Sequence, residues 1–219
     1  MKSGNVLAIE SAIGGGSVAV LSNGLLLDKW HSTDTVPRSE QLLQIISNLI
    51  DRSIGGKHAI STIAVSRGPG SYTGIRIGLA TAMGLGAALN IPVIGVSVLR
   101  AIGFENIEVN RLVVVPIGRI GFCWQYFAAG ASNADAAIES GSIDNLIQQY
   151  GDLQDLAVFA QSDAYTLLHE HGDPALRGVE LRNCGSDVAV AVGIAASAID
   201  EGLEPLYARD TLNSHKVAV

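Results

Sequence analysis

The chain has 219 residues, of which 48% are hydrophobic and 16% charged, with a formal net charge of −7 at pH 7. The acid is unevenly spread: residues 1 to 105 hold 8 basic and 6 acidic side chains, and residues 106 to 219 hold 6 and 15. Gripping DNA or RNA through phosphates needs a basic face, so this balance argues against unaided nucleic-acid binding, and the length predicts one large domain or two lobes.

Strand patterns come first, at Val6 to Glu10, Ser17 to Leu21 and Leu25 to Trp30, separated by Gly14-Gly15-Gly16 and Ser22-Asn23-Gly24. Short apolar runs joined by such turns predict an antiparallel meander. Pro37 then opens a helix to about residue 54, in which Leu42, Leu43, Ile45, Ile46, Leu49 and Ile50 recur at helical spacing and Gly55-Gly56 supplies the stop. A strand around Ile63, a glycine-rich loop, a helix over 74 to 89, a strand at Val93 and a short helix near Arg100 complete a βββαβαβ unit. The second half reads as strands 112 to 116 and Phe122 to Phe127, a loop of small polar residues and a helix at Asp144 to Tyr150. A strand at Leu156 to Phe159 and helices at Asp163 to His171 and Ser186 to Glu201 follow. The predicted class is α/β with mixed sheets flanked by helices, divided into lobes 1–103 and 104–219.

Residues 77 to 99 carry no charged side chain and are long enough to span a bilayer. Asn90 and Pro92 interrupt that run, and a helix ending near Leu89 followed by a strand accounts for it without a membrane. Cys123 and Cys184 have no metal-type spacing and are expected as free thiols. The N-terminal Met1-Lys2-Ser3-Gly4-Asn5 leads straight into a strand without an apolar signal core, so cytoplasm is the expected compartment. A mean hydropathy of +0.33 predicts either a well-filled core or a surface covered by a partner.

Chemistry concentrates in residues 67 to 78, Arg-Gly-Pro-Gly-Ser-Tyr-Thr-Gly-Ile-Arg-Ile-Gly. A strand, a glycine loop and a helix start in that order offer free N–H groups to an anion or to a partner's carboxylate. The loop lacks the Gly-Lys-Ser/Thr ending of a phosphate loop, and its G-x-G-x-x-x-G spacing misses the dinucleotide fingerprint by one residue. Beyond it, Gly74, Gly78, Ala82 and Gly86 form one helical ridge. Glycine in a helix costs roughly 1 kcal/mol against alanine, which close packing offsets, either on the chain's own sheet or on a helix of another subunit. Glu10 and Ser11, before Gly14 to Gly16, are placed to approach a phosphate as the first hairpin does in actin-like and sugar-kinase folds; the plainer reading is a strand ending in a polar turn. His31, His58, His169, His171 and His215 make no helical metal pair, so no metal site is expected, and no catalytic residue is assigned.

Ser66-Arg67-Gly68-Pro69-Gly70-Ser71-Tyr72-Thr73-Gly74-Ile75-Arg76-Ile77-Gly78-Leu79-Ala80 resembles the signature of the TsaB (YeaZ) family. Val6 to Val20, Ser39 to Leu43, Ile91 to Ser97 and Pro205 to Asp210 are similar to other family segments in order and spacing. The resemblance implies a two-lobed ASKHA fold, as in actin, Hsp70 and sugar kinases. It also implies a role supporting N6-threonylcarbamoylation of adenosine 37 in tRNA, with the chemistry held by a TsaD-like subunit and a TsaE-like ATPase joining the assembly. This chain is then a non-catalytic scaffold or activator that meets tRNA only through the complex; a homodimer of the chain alone through the same surface is a further alternative. Carried over residue by residue, the partner interface falls on Ser39, Glu40, Leu42, Leu43, Ile46, Gly70, Ser71, Tyr72, Thr73, Gly74, Arg76, Gly78 and Ala82. Nucleotide or anion binding falls on Glu10, Ser11, Gly68 and Gly70, with ATP or ADP and magnesium at an interface of the complex rather than on this chain alone. Three departures stand out: Arg38 where the family has His, Glu10 where it has Asp, and Ile117 where it has Asp. The alternative from the same residues is a nucleotide-dependent phosphotransferase or ATPase working through Glu10.

Overall fold

The computed structural model of the chain describes residues 4–32, 39–104, 107–117, 121–131, 136–150, 156–170, 180–184 and 187–208. The first three strands are β1 (Asn5–Glu10), β2 (Ser17–Ser22) and β3 (Leu25–His31), paired antiparallel as expected. Asn23 and Gly24, with φ of 50° and 82°, join β2 to β3; a two-residue hairpin turn needs such positive φ values. Helix α1 (Ser39–Ile54) leads through a 3₁₀ turn at Lys57–Ala59 into β4 (Ile60–Ser66), then α2 (Tyr72–Leu89), β5 (Val93–Val96) and α3 (Val98–Phe104). The charge-free run at 77–99 is thus α2 and β5, and no described helix is long and apolar enough to cross a membrane.

The second half adds β6 (Asn110–Ile117), β7 (Gly121–Phe127), β8 (Glu139–Gly141), α4 (Ile143–Tyr150), β9 (Leu156–Ala160), α5 (Ser162–Glu170), β10 (Glu180–Asn183) and α6 (Val188–Ala195). Strands β8 and β10, three and four residues long, have no apolar run in the sequence to announce them. The two sheets are ordered β3-β2-β1-β4-β5 and β10-β9-β6-β7-β8. Each is an antiparallel meander of three strands extended by two parallel ones, so the topology is duplicated. This is the α/β architecture with mixed sheets and flanking helices that the sequence predicts.

Strands β1 and β4 are buried on both faces, with Leu7, Ala8, Ile9, Ile63, Ala64 and Val65 fully enclosed, which explains their unbroken apolar runs. Alternation along β6 sends Val113 and Val115 into the core shared with the first sheet. Leu112 and Val114 face a second core with Trp124 and Leu146.

Two helices cross between the halves. Helix α3 packs on β6 and β7, while α6 packs on β1, β2 and β4 and against α3. Gly193 of α6 permits that contact, since a Cβ there would lie 2.4 Å from Leu21 Cδ1. The division at residue 103 therefore separates the sheets but not the packing, because α6 and residues 201–208 return to the first half. Helix α6 is also shorter than expected: it ends at Ala195 rather than near Glu201. There the chain turns, and the Glu201 N–H donates to Gly95 O beside β5, 2.9 Å away.

Among the described residues, Arg111 is the one basic side chain that is fully buried. It donates to the carbonyls of Gly103, Val109, Ala128 and Ala131, tying the end of α3 to the turn after β7. Burial without a carboxylate lowers its pKa.

Candidate functional site

The glycine loop is held by its own chain at almost every step. The Arg67 N–H donates to Val96 O at 3.0 Å, Arg67 O accepts from Leu206 N at 2.7 Å, Gly68 O accepts from Val98 N at 2.9 Å, and the Ser71 N–H donates to Ala12 O at 2.8 Å. The Gly68-Pro69 peptide is cis. A Cβ at Gly68, where φ is +100°, would lie 2.5 Å from Leu206 O, and one at Gly70 2.6 Å from Ala12 O. These glycines admit close approach of the chain to itself. Helix α2 starts with a self-made cap, because Ser71 Oγ accepts from Gly74 N at 3.2 Å.

Glu10 sits at the end of β1, only 1% exposed. Its Oε1 accepts from the Ala12 and Ile13 N–H groups and lies 3.4 Å from Ser66 Oγ, while Oε2 has no hydrogen-bond partner among the described residues. Burial pushes the carboxyl up to about 7, against the lowering effect of those donors. Ser11 Oγ donates to Gly74 O at 2.8 Å. The structure does bring Glu10, Ser11 and Gly70 together, but around Ala12 and the start of α2. The carboxylate anchors its own turn, and Gly68 faces Leu206 instead. Ile117 ends β6 half-buried, with no carboxylate to match Glu10 in the other sheet; Arg38 lies outside the described residues.

The interface residues carried over from the resemblance divide sharply. Gly74, Gly78 and Ala82 are buried under α2, as is Gly86. Cβ atoms added at Gly74, Gly78 and Gly86 would lie 2.0 Å from Ser11 O, 2.4 Å from Ser11 Oγ and 2.3 Å from Val93 Cγ2. The ridge therefore seats α2 on the first sheet and the turn after β1, and a contact with another subunit through it is corrected. Leu42 and Ile46 of α1 likewise point into the core. What remains outward is Leu43 on α1 and Tyr72, Thr73 and Arg76 on α2, with Ser71 half-buried at the cap. Ser39 and Glu40 occupy the first positions of α1, where only the backbone is described.

A second stripe, missed in the sequence, lies on the outer face of α2. Thr73, Ala80, Gly84 and Ala87 are exposed, with Ile77 half-buried between them, and Met83 beside the stripe is 51% exposed. A Cβ at Gly84 would meet nothing within 4 Å. Arg76 is the only charge on the helix. Its signal in the sequence is a repeat at spacings of four and three residues, which periodicity alone does not rank against the inner ridge.

A separate cavity of about 390 Å³ lies between β3, β10 and α6, lined by Leu26, Lys29, Phe159, Arg182 and Asp187 among others. Its charges are already matched, Lys29 to Asp187 and Arg182 to Glu180. Among the described residues no three His, Cys, Asp or Glu side chains converge as a metal would require.

The family model described as TsaD, tRNA N6-adenosine threonylcarbamoyltransferase, matches residues 37–139. The chain is 31% identical to the tRNA threonylcarbamoyladenosine biosynthesis protein TsaB of Haemophilus influenzae over 113 residues, 51% of this chain and 47% of that protein. Against TsaB of Escherichia coli it is 34% identical over 96 residues, 43% of this chain and 40% of that protein. The chain thus spans less than half the length of these curated relatives. Among solved structures, YeaZ from Pseudomonas aeruginosa superposes with a TM-score of 0.67 at 20% identity, covering 93% of this chain and 99% of that one. An activator of 2-hydroxyisocaproyl-CoA dehydratase from Clostridium difficile, with bound ADPNP, superposes at 0.57 with 9% identity, covering 97% and 98%. At these identities the structural likenesses concern the fold alone, which this chain shares with YeaZ.

Proposed function

Since sequence and fold both relate this chain to the TsaB (YeaZ) family, we propose that it is an accessory subunit in forming threonylcarbamoyladenosine in tRNA, pairing with a TsaD-type catalytic subunit and carrying out no chemistry alone. The observation that carries this reading is the outer face of α2. It presents small and apolar side chains with one charge, and an exposed glycine with open space above it, on a helix whose other side is already anchored. Small residues let a second helix approach to backbone contact, where dispersion over many atoms supplies the attraction. The partner surface then consists of Leu43, Tyr72, Thr73, Arg76 and the stripe to Ala87. The match of a TsaD model to the segment containing α1 and α2 supports a pairing of like with like. A TsaE-like ATPase joins that assembly, tRNA meets it through the complex, the compartment is the cytoplasm, and the isolated chain self-associates through the same face.

The test is co-purification with the TsaD-type subunit of the same organism, sizing, and a tRNA threonylcarbamoylation assay of each protein alone and together. A stable heterodimer with activity only in the mixture is the expected result; turnover by this chain alone, or no complex at micromolar concentration, would overturn it. The rival reading, a phosphotransferase or ATPase, draws on the fold likeness to a protein with bound ADPNP. It needs a carboxylate offered to magnesium, and Glu10 is instead turned onto its own backbone. Calorimetric titration with ATP and magnesium separates the two: heat from the isolated chain favours the enzyme, and its absence leaves any ATP or ADP at an interface of the complex.

A further inference from the structure

The C-terminal described segment, residues 201–208, lies across the parallel edge of the first sheet and over the glycine loop. Glu201 fixes one end. Its Oε2 accepts from the Ser97 N–H, its Oε1 accepts from Arg100 Nη1 at 2.8 Å, and its carbonyl accepts from Arg67 Nη1. Gly95 makes room for the crossing, since a Cβ there would lie 1.8 Å from Gly202 O. Leu206 then bonds to Arg67 O, and Tyr207 reaches the first turn of α2. The Tyr207 and Tyr72 rings lie 4.9 Å apart and tilted by 33°, Tyr207 Oη accepts from Arg76 Nε at 3.2 Å, and the Arg76 guanidinium sits 4.0 Å from the Tyr72 ring centre.

We infer that residues 201–208 are a clasp that holds the first turn of α2, with Tyr207 as the positioning residue for Tyr72 and Arg76. Tyr72 is 54% exposed, and two exposed side chains with several rotatable bonds lose conformational entropy when a partner fixes them. The clasp places them beforehand: the Tyr207 ring sets the plane of Tyr72, and its hydroxyl sets the guanidinium above that plane. Aromatic and guanidinium groups are the side chains that most often carry an interface. The pairing role of the clasp rests on the function proposed above, whereas its hold on α2 is a property of the isolated chain.

The experiment uses the full chain with Tyr207→Ala and Tyr207→Phe, read by amide hydrogen exchange and by titration with the TsaD-type subunit. Tyr207→Ala is expected to speed exchange at residues 72–76 by about tenfold, with β1 and β4 unchanged, and to weaken pairing by about fivefold. Tyr207→Phe keeps the ring contact, loses the bond to Arg76 and falls between. Unaltered exchange at 72–76, loosening throughout the chain, or local loosening with unaltered affinity would each overturn the inference. If the wild-type chain does not pair at all, the proposed function fails, and exchange alone decides whether the clasp holds α2.

Discussion

The two sides of α2 are built from nearly the same residue types and do opposite things. Gly74, Gly78, Ala82 and Gly86 on the inside are small because β1's turn, β4 and β5 press against them; Thr73, Ala80, Gly84 and Ala87 on the outside are small with open solvent above. Glycine is tolerated in a helix interior only at a cost, so each glycine invites an explanation. Inside, that explanation is visible in contacts no side chain could survive. Outside, at Gly84, nothing among the described residues supplies one, and a second helix would.

The hardest way to break this contrast is to fill the inner side. Gly74→Leu drives a side chain into the Ser11 carbonyl, and no folded monomer is expected from expression and circular dichroism. Gly74→Ala, adding one methyl, should destabilise by about 3 kcal/mol, lowering Tm by roughly 6–12 °C for a chain of this size. An unchanged Tm would mean that the helix slides freely on the sheet.

Neighbouring leucines on α1 extend the comparison. Leu42 is 7% exposed and Leu43 58%. Leu42→Ala should lose about 2–5 kcal/mol in denaturant unfolding, as deletion from a packed core does. Leu43→Ala should stay within about 0.5 kcal/mol and show its effect only in partner binding. Equal losses at both positions would remove the distinction between buried and outward faces.

The seat of the inner side is also sensitive to pH. Glu10 holds the turn on which Gly70 and Gly74 rest, and burial raises its carboxyl from 4.5 to about 7. Between those values the folded chain keeps a proton that the unfolded chain has released. Stability from this group is therefore greatest below about pH 4.5 and declines as pH rises through 7, by about 3 kcal/mol at most. Glu10→Gln still accepts from the Ala12 and Ile13 N–H groups but cannot ionise. Its Tm should vary less between pH 5 and 8 than that of the wild type, and a parallel pair of curves would count against the buried acid as the cause.

Much of this fold was readable because its signals are local. The meander followed from apolar runs broken by Gly14-Gly15-Gly16 and Asn23-Gly24, and α2 from the loop before it and Asn90 after it. Strands β8 and β10 were not readable, since Glu139–Gly141 and Glu180–Asn183 gain their extended form from pairing with β7 and β9. The clasp was equally hidden: Glu201 meets Arg100 and Tyr207 meets Tyr72 across more than a hundred residues, and no spacing rule connects them. Helical periodicity found the small ridge on α2 but could not say which side faced inward. That depends on where the sheet lies, and the interface residues carried over by resemblance inherited the ambiguity.

Gly84→Leu is the most direct test of the outer side. With open space at its Cβ, leucine should fit without strain, and its better helix propensity should add about 1 kcal/mol, raising Tm by roughly 2–4 °C. The same side chain would hold an approaching helix away from the backbone, removing contacts along its length, so affinity for the TsaD-type subunit should fall by tenfold or more. A gain in stability with a loss of pairing is a combination that neither a core position nor an idle surface position produces. Lower stability would place Gly84 against the chain itself, and unchanged affinity would move the partner to another face.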